Sequence, residues 1–259
     1  MGFLSELVAE RRRDLERHPL DDGTLLARAM SLPPTRGFVD ALRARTPAVI
    51  AEVKRASPSA GAIADRDAGE QARAYADAGA TAISVLTEPV HFQGSLADLR
   101  SARMACELPI LRKDFLLTPS ELIESRAAGA DAVLLIASCL SAHELVAMLA
   151  TAGDLGLGTL VETHADADLE KALATDAPVI GVNARDLETL EVDVERALSH
   201  LSQIPADRIA VLESGIAGRD QVVAALDAGA SAILVGETLM RANDPGAKLR
   251  ELLGEGSNR

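Results

Sequence analysis

Ala78-Gly79-Ala80-Thr81-Ala82-Ile83, Ala128-Gly129-Ala130-Asp131-Ala132-Val133 and Ala228-Gly229-Ala230-Ser231-Ala232-Ile233 are three copies of one segment. Each follows an amphipathic helical stretch and runs into an aliphatic one. That is the pattern of a helix closed by glycine, a short loop, then a strand. The glycines lie 50 and 100 residues apart. With about 25 residues to each strand–helix unit, the copies lead into strands 2, 4 and 8. The weaker Ala177-Pro178-Val179-Ile180-Gly181-Val182 falls where strand 6 is due. Between them, strand 1 is expected at 48–53, strand 3 at 109–112, strand 5 at 158–162 and strand 7 at 208–213. Helical patterns such as 65–78, 118–128, 141–153 and 218–228 separate the strands. Strands alternating with helices imply a parallel sheet, and eight of them imply a closed α/β barrel, a single (β/α)8 TIM barrel. An open doubly wound sheet is the competing arrangement. Residues 1–46 read as two or three charged amphipathic helices, an N-terminal extension of one domain whose barrel occupies 47–259.

Length and composition agree with that reading. The chain has 259 residues, close to the roughly 250 of one such barrel. Hydrophobic residues make up 48% and aromatics only 2%, so the core must be aliphatic, as buried parallel strands require. No apolar run approaches the ~18 residues of a membrane span, and the N-terminus lacks a signal peptide's apolar segment. Cys106 and Cys139 are too few for a disulfide framework or a metal motif. These features point to a cytoplasmic protein without a membrane partner. A net charge of −13 argues against nucleic acid. There are 22 Arg but four Lys: Lys54, Lys113, Lys171 and Lys248. Lysine can give up its proton where arginine cannot, so a chain that otherwise favours arginine has a chemical reason to keep a few lysines.

Catalytic groups of this fold sit at the C-terminal ends of the strands. Those positions carry Glu52 and Lys54, Arg112-Lys113-Asp114, Glu162, Asn183 and Arg185, Glu213-Ser214-Gly215, and Gly236-Glu237. Any one of them reads equally well as structural; Glu52 and Lys54 would make an ion pair at the barrel rim. Two lysines and three glutamates on one face are harder to explain that way, because unpaired buried charge is costly. Mutually perturbed Lys and Glu groups suit acid–base catalysis. Ser214-Gly215 and Gly236-Glu237 follow strands 7 and 8, whose loops commonly cradle phosphate. Tight turns are the alternative role of these glycines, and Glu237 is expected to point away from a phosphate. The five histidines are scattered and show no metal spacing. Lys54, Arg55, Arg112, Lys113 and Arg185 are expected around one mouth of the barrel.

At this point the residues resemble a known family. Ile50-Ala51-Glu52-Val53-Lys54-Arg55-Ala56-Ser57-Pro58-Ser59 is similar to the first-strand signature of indole-3-glycerol phosphate synthases. The resemblance continues through Leu86-Thr87-Glu88-Pro89, Phe92-Gln93-Gly94-Ser95, Leu111-Arg112-Lys113-Asp114-Phe115 and Leu160-Val161-Glu162. It extends over Gly181-Val182-Asn183, Arg185-Asp186-Leu187, Glu213-Ser214-Gly215-Ile216 and Val235-Gly236, collinear from about residue 36 to 241. Departures are Ala60, Ala184 and Glu237, where the family often has Lys, Asn, and Ser or Ala.

The resemblance implies a phosphorylated small-molecule substrate, 1-(2-carboxyphenylamino)-1-deoxyribulose 5-phosphate, cyclised, decarboxylated and dehydrated to indole-3-glycerol phosphate. It implies Lys113 as general acid and Glu162 as base, with Lys54 and Glu52 assisting. Asn183 and Glu213 would fix the sugar hydroxyls. Arg185, Ser57 and Lys54 would hold the benzoate carboxylate, and Phe92 and Phe115 would flank the aromatic ring. Ser214, Gly215, Gly236 and Glu237 belong to the phosphate end. No metal or organic cofactor is expected. Neither is a fused isomerase domain, and a monomer or weak homodimer is. The competing enzyme is the phosphate-binding isomerase of the same pathway, which pairs Cys with Asp; here strand 1 ends in Glu and Lys, and Cys106 precedes strand 3. A non-catalytic phosphate-binding barrel would have no reason to keep both lysines beside Glu162.

Overall fold

The computed structural model describes residues 2–57, 61–62 and 66–255. Eight parallel strands close into a barrel: β1 Ala48–Val53, β2 Ala82–Leu86, β3 Ile110–Lys113, β4 Ala132–Ile136, β5 Gly158–Thr163, β6 Val179–Asn183, β7 Ile209–Glu213 and β8 Ala232–Val235. β1 pairs with β2 on one side, Ile50 opposite Ala82, and with β8 on the other, Ala48 opposite Ala232. That second ladder excludes an open sheet. The four odd-numbered strands fall within a residue of their expected bounds, and the even ones follow the repeated segments, because each is a short aliphatic run buried on both faces.

The repeated segment has a clear physical basis. Gly79, Gly129 and Gly229 have φ of 93°, 97° and 103°, the left-handed region in which a side chain is disfavoured. Each lets a helix end and the chain turn directly into the next strand. Helices open on equally local signals. Ser141 accepts from the Glu144 amide at 3.2 Å, and Glu144 accepts from the Ser141 amide at 2.7 Å, a reciprocal cap.

Three helices precede the barrel: α1 Phe3–Arg17, α2 Asp22–Ser31 and α3 Phe38–Arg43. They wrap it from end to end. α3 lies under the N-terminal ends of the strands, where buried Phe38 faces Ala132 and Gly158. α2 packs beside helix Pro119–Ala128, tied by Ser120 donating to Asp22 at 2.9 Å. α1 reaches the opposite, C-terminal mouth. Its first turn is capped by a distant residue, Glu188, which accepts from the Ser5 amide at 3.2 Å.

Three small elements have no counterpart in the sequence patterns: a ladder of Ala56–Ser57 with Gly61–Ala62, a 3₁₀ turn at Ala137–Cys139, and the five-residue helix Glu237–Arg241. Each is too short for periodicity to register. Among the described residues no helix is long and apolar enough to cross a membrane.

Candidate active site

Side chains alternate along a strand, so each strand presents its last inward residue to the C-terminal mouth. From β1 to β8 these are Glu52 (with Lys54 just beyond), Leu86, Lys113, Ile136, Glu162, Asn183, Glu213 and, one residue past β8, Gly236. The polar residues read from the strand ends therefore converge, and the aliphatic ones wall the space between them.

Lys113 is the hub. Its Nζ lies 2.7 Å from Glu213, 3.5 Å from Glu52 and 3.6 Å from Glu162. Lys54 reaches the other oxygen of Glu52 at 3.0 Å. Asn183 donates to Glu162 at 3.1 Å and accepts from Ser214 Oγ at 2.8 Å and from the Arg185 amide at 3.0 Å. Glu52, Glu162 and Glu213 are all buried.

Three carboxylates thus face two ammonium groups, and burial makes the excess charge costly. Burial would neutralise Glu52, but Lys54 and then Lys113 outweigh it and hold its carboxyl below the usual range. Burial also opposes the Lys113 cation, yet Glu213, Glu52 and Glu162 together raise it well above an ordinary lysine. Glu213 carries the surplus: burial, then the charge of Glu162 against the pull of Lys113, pushes it up to about 8. Glu213 and Lys113 draw on one contact, so an ionised Glu213 strengthens the ammonium and a protonated one leaves it to the other two carboxylates. The ammonium persists either way.

The Glu213 shift has a sign. Its carboxyl binds a proton more tightly folded than unfolded, so its contribution to stability is present at low pH and lost as pH rises from the ordinary carboxyl range through about 8. Over that window the melting temperature of Glu213→Gln is expected to rise relative to wild type. A difference between the two that does not change with pH would contradict it.

The cleft above the cluster holds about 650 Å³, its open mouth included. Phe92 and Phe115 stand on one side, ring centres 6.2 Å apart and planes at 44°. The sequence reading missed Phe3, Leu187 and Leu190, which complete the apolar rim. Phe3 precedes the barrel on α1, where no strand-end rule applies. Its one signal was composition: the chain has four phenylalanines, and three of them line this cavity.

A second lobe, about 920 Å³ with its open mouth included, shares Glu52, Lys54, Lys113, Arg185 and Ser214, and extends over Gly215, Gly236, Glu237, Thr238 and Arg241. Ser214 and Gly215 both have positive φ, 66° and 72°, strained for the serine and free for the glycine, and together they turn the chain sharply at the end of β7. Thr238 Oγ1 donates to the Ile216 carbonyl at 2.5 Å and joins the two loops.

Several expectations need correction. Arg112 points outward into the helix layer, buried between Asp114 at 3.1 Å and Glu124 at 2.8 Å, because its neighbour Lys113 takes the inward position. Arg55 pairs with Asp98 at 2.7 Å. Of the five expected cations, Lys54, Lys113 and Arg185 line the cavity, and Arg241, unforeseen, joins them in the second lobe. Glu237 does not point away: it lines that lobe, 3.0 Å from Arg241 and 3.8 Å from Arg185. The side chain of Ser57 and all of Ala60 lie outside the described residues.

Gly236 has a role beyond its backbone amide. A Cβ there would overlap the Glu52 carboxylate. Gly236→Val is therefore expected to cut kcat by about tenfold or more as well as raise KM, because it displaces the carboxylate that pairs with Lys54 and Lys113. A rise in KM alone would place Glu52 outside the chemistry.

Comparison with known proteins adds an independent line. A family model described as indole-3-glycerol phosphate synthase matches residues 4–252. The indole-3-glycerol phosphate synthase of Polaromonas naphthalenivorans (strain CJ2) is 44% identical over 262 residues, covering 98% of this chain and 99% of its own. That of Azoarcus sp. (strain BH72) is 48% identical over 263 residues, covering 97% and 99%. Among solved structures, a chain of the tryptophan synthase a2b2 complex from Pyrococcus furiosus matches 81% of this chain and 99% of its own, with a TM-score of 0.61 and 16% identity. That last likeness concerns the fold alone.

Proposed function

The chain belongs to the indole-3-glycerol phosphate synthase family, and from that premise we propose how its residues divide the work. The reaction that this membership implies joins an aromatic ring carbon to a ketone, releases carbon dioxide, then removes water to complete the indole. One observation carries the assignment: Lys113, from β3, touches carboxylates from β1, β5 and β7 at once.

As the ring carbon attacks, the ketone oxygen becomes an alkoxide, a far stronger base than an amine. The Lys113 ammonium, held protonated by the carboxylates around it, transfers a proton to it as the bond forms. Loss of the ring carboxylate as carbon dioxide restores aromaticity. Glu162, held by Asn183, then removes a proton from the carbon next to nitrogen while the hydroxyl leaves. Lys54, paired with Glu52, stands ready to protonate that hydroxyl.

The substrate spans both lobes. Its aromatic ring lies against Phe92 and Phe115, its carboxylate beside Lys54 and Arg185. Its phosphate lies in the loops 214–217 and 236–238, where Arg241 and Arg185 turn from Glu237 to the anion. The constellation is complete within one chain, so the functional unit is a monomer or a weak homodimer, barrel and N-terminal helices acting together. Free Cys106 and Cys139 suit the reducing cytoplasm. The test is an assay of the purified protein with the carboxyphenylamino-deoxyribulose phosphate, read by indole fluorescence. Product must appear with equimolar carbon dioxide; turnover of phosphoribosylanthranilate instead would assign the isomerase.

Electrostatics gives a second check. The chain carries −13, and the substrate carries a phosphate and a carboxylate. Capture depends on the local field of Lys54, Lys113, Arg185 and Arg241. Because screening acts within about 10 Å at 0.1 M salt, KM is expected to rise with ionic strength. A substrate analogue without the carboxylate should show a shallower rise; equal slopes would remove the carboxylate from the cationic wall.

A further inference from the structure

The reaction consumes a proton. The substrate's carboxylate carries one negative charge and leaves as neutral carbon dioxide, while the ketone oxygen leaves as water with two protons. One is given by Lys54 and restored to it, through Lys113 and Glu52, by the proton that Glu162 takes from the carbon beside nitrogen. The other comes from Lys113 and must be replaced from solvent in every cycle.

The substrate cavity is poorly suited to that delivery. Its rim is largely apolar (Phe3, Leu86, Phe92, Phe115, Leu187, Leu190), and a substrate spanning it and the second lobe would cover both approaches to Lys113. Glu162, however, also lines a second cleft, of about 890 Å³ with its open mouth included, walled by α1, the 3₁₀ turn, the end of β5 and the loop after β6. This wall is polar where it meets solvent. Ser5, Ser138 and Glu188 are exposed, and His164 and Asp186, 3.2 Å apart, lie half-buried further in. Thr163 and Glu162 stand at its floor.

We propose that this second cavity is the route by which a solvent proton reaches the acid–base cluster while substrate occupies the first. A proton entering there is received by Glu162 and passed to Lys113, whose Nζ lies 3.6 Å from the Glu162 carboxylate. The neutral amine left by ring closure becomes the ammonium again, and Glu162 returns to the carboxylate that the next cycle requires. Glu162 thus faces two spaces because it serves two: it takes a proton from the substrate on one side and relays one from solvent on the other. The inference rests on the roles given above to Lys113 and Glu162.

The test is to plug the second cavity without touching the first. Val8, half-buried on α1, and Ser138, on the 3₁₀ turn, line only the second. Val8→Phe and Ser138→Phe fill it from opposite walls. A single turnover with enzyme in excess uses the proton already on Lys113, so its rate should stay within about twofold of wild type. Repeated turnover needs resupply, so kcat should fall about tenfold with KM little changed, as when proton delivery becomes rate-limiting. Normal kcat in both variants, or equal loss of single- and multiple-turnover rates, overturns the proposal. A normal single-turnover rate in Lys113→Arg would instead sink the assignment of the acid, so the two failures are distinguishable.

Discussion

Lys113→Arg is expected to lose ~10²–10⁴-fold in kcat, the usual contribution of a general acid, with substrate affinity little changed. The variant keeps the positive charge that Glu52, Glu162 and Glu213 require, so the barrel should fold and the cluster remain balanced. What it loses is the proton, because a guanidinium does not release one to a developing alkoxide at neutral pH. Its planar fork also cannot reach three carboxylates from three strands as a single Nζ does at 2.7–3.6 Å. Steady-state rates beside a binding measurement with product separate the two effects. Near-normal turnover would remove Lys113 from the acid's role.

Gly181→Ala is expected to cost about 10²-fold in kcat, although the residue touches no substrate. Gly181 lies on β6 between Glu162 of β5 and Val211 of β7. A Cβ there would overlap Glu213 Oε1, an atom that is buried without a hydrogen-bond partner. Adding the methyl drives the carboxylate off Lys113 and breaks the 2.7 Å contact. Because the damage acts through Glu213, the cost should largely vanish in a Glu213→Gln background, a non-additivity that a double-mutant cycle reads directly. Full additivity would mean that Gly181 serves packing alone. The same logic applies to Gly236 under Glu52: two of the three cluster carboxylates are admitted by a glycine on a neighbouring strand or at its end.

The barrel was legible because its signals are local. Three left-handed glycines mark three loops, and each strand is an aliphatic run long enough to count. The cluster was legible for a related reason: a charged residue at the end of such a run, with side-chain parity known, faces the mouth. Parity also explains the error at Arg112. Adjacent residues face opposite ways, and the reading placed Arg112 beside Lys113 without choosing between the faces. Phe3 and Arg241 were beyond that reasoning, since neither lies on a barrel strand and both arrive by tertiary packing of helices. Gly181 was visible only as part of a strand, because its importance lies in what a methyl would strike.

The most direct measurement is a crystal structure with an unreactive substrate analogue that keeps an oxygen at the ketone position. The ketone oxygen should lie within hydrogen-bond reach of Lys113 Nζ, about 2.6–3.2 Å, with the ring against Phe92 and Phe115 and the phosphate on the loops at Ser214-Gly215 and Gly236. An analogue bound with its phosphate elsewhere, or with that oxygen turned away from Lys113, would contradict the assignment of the site.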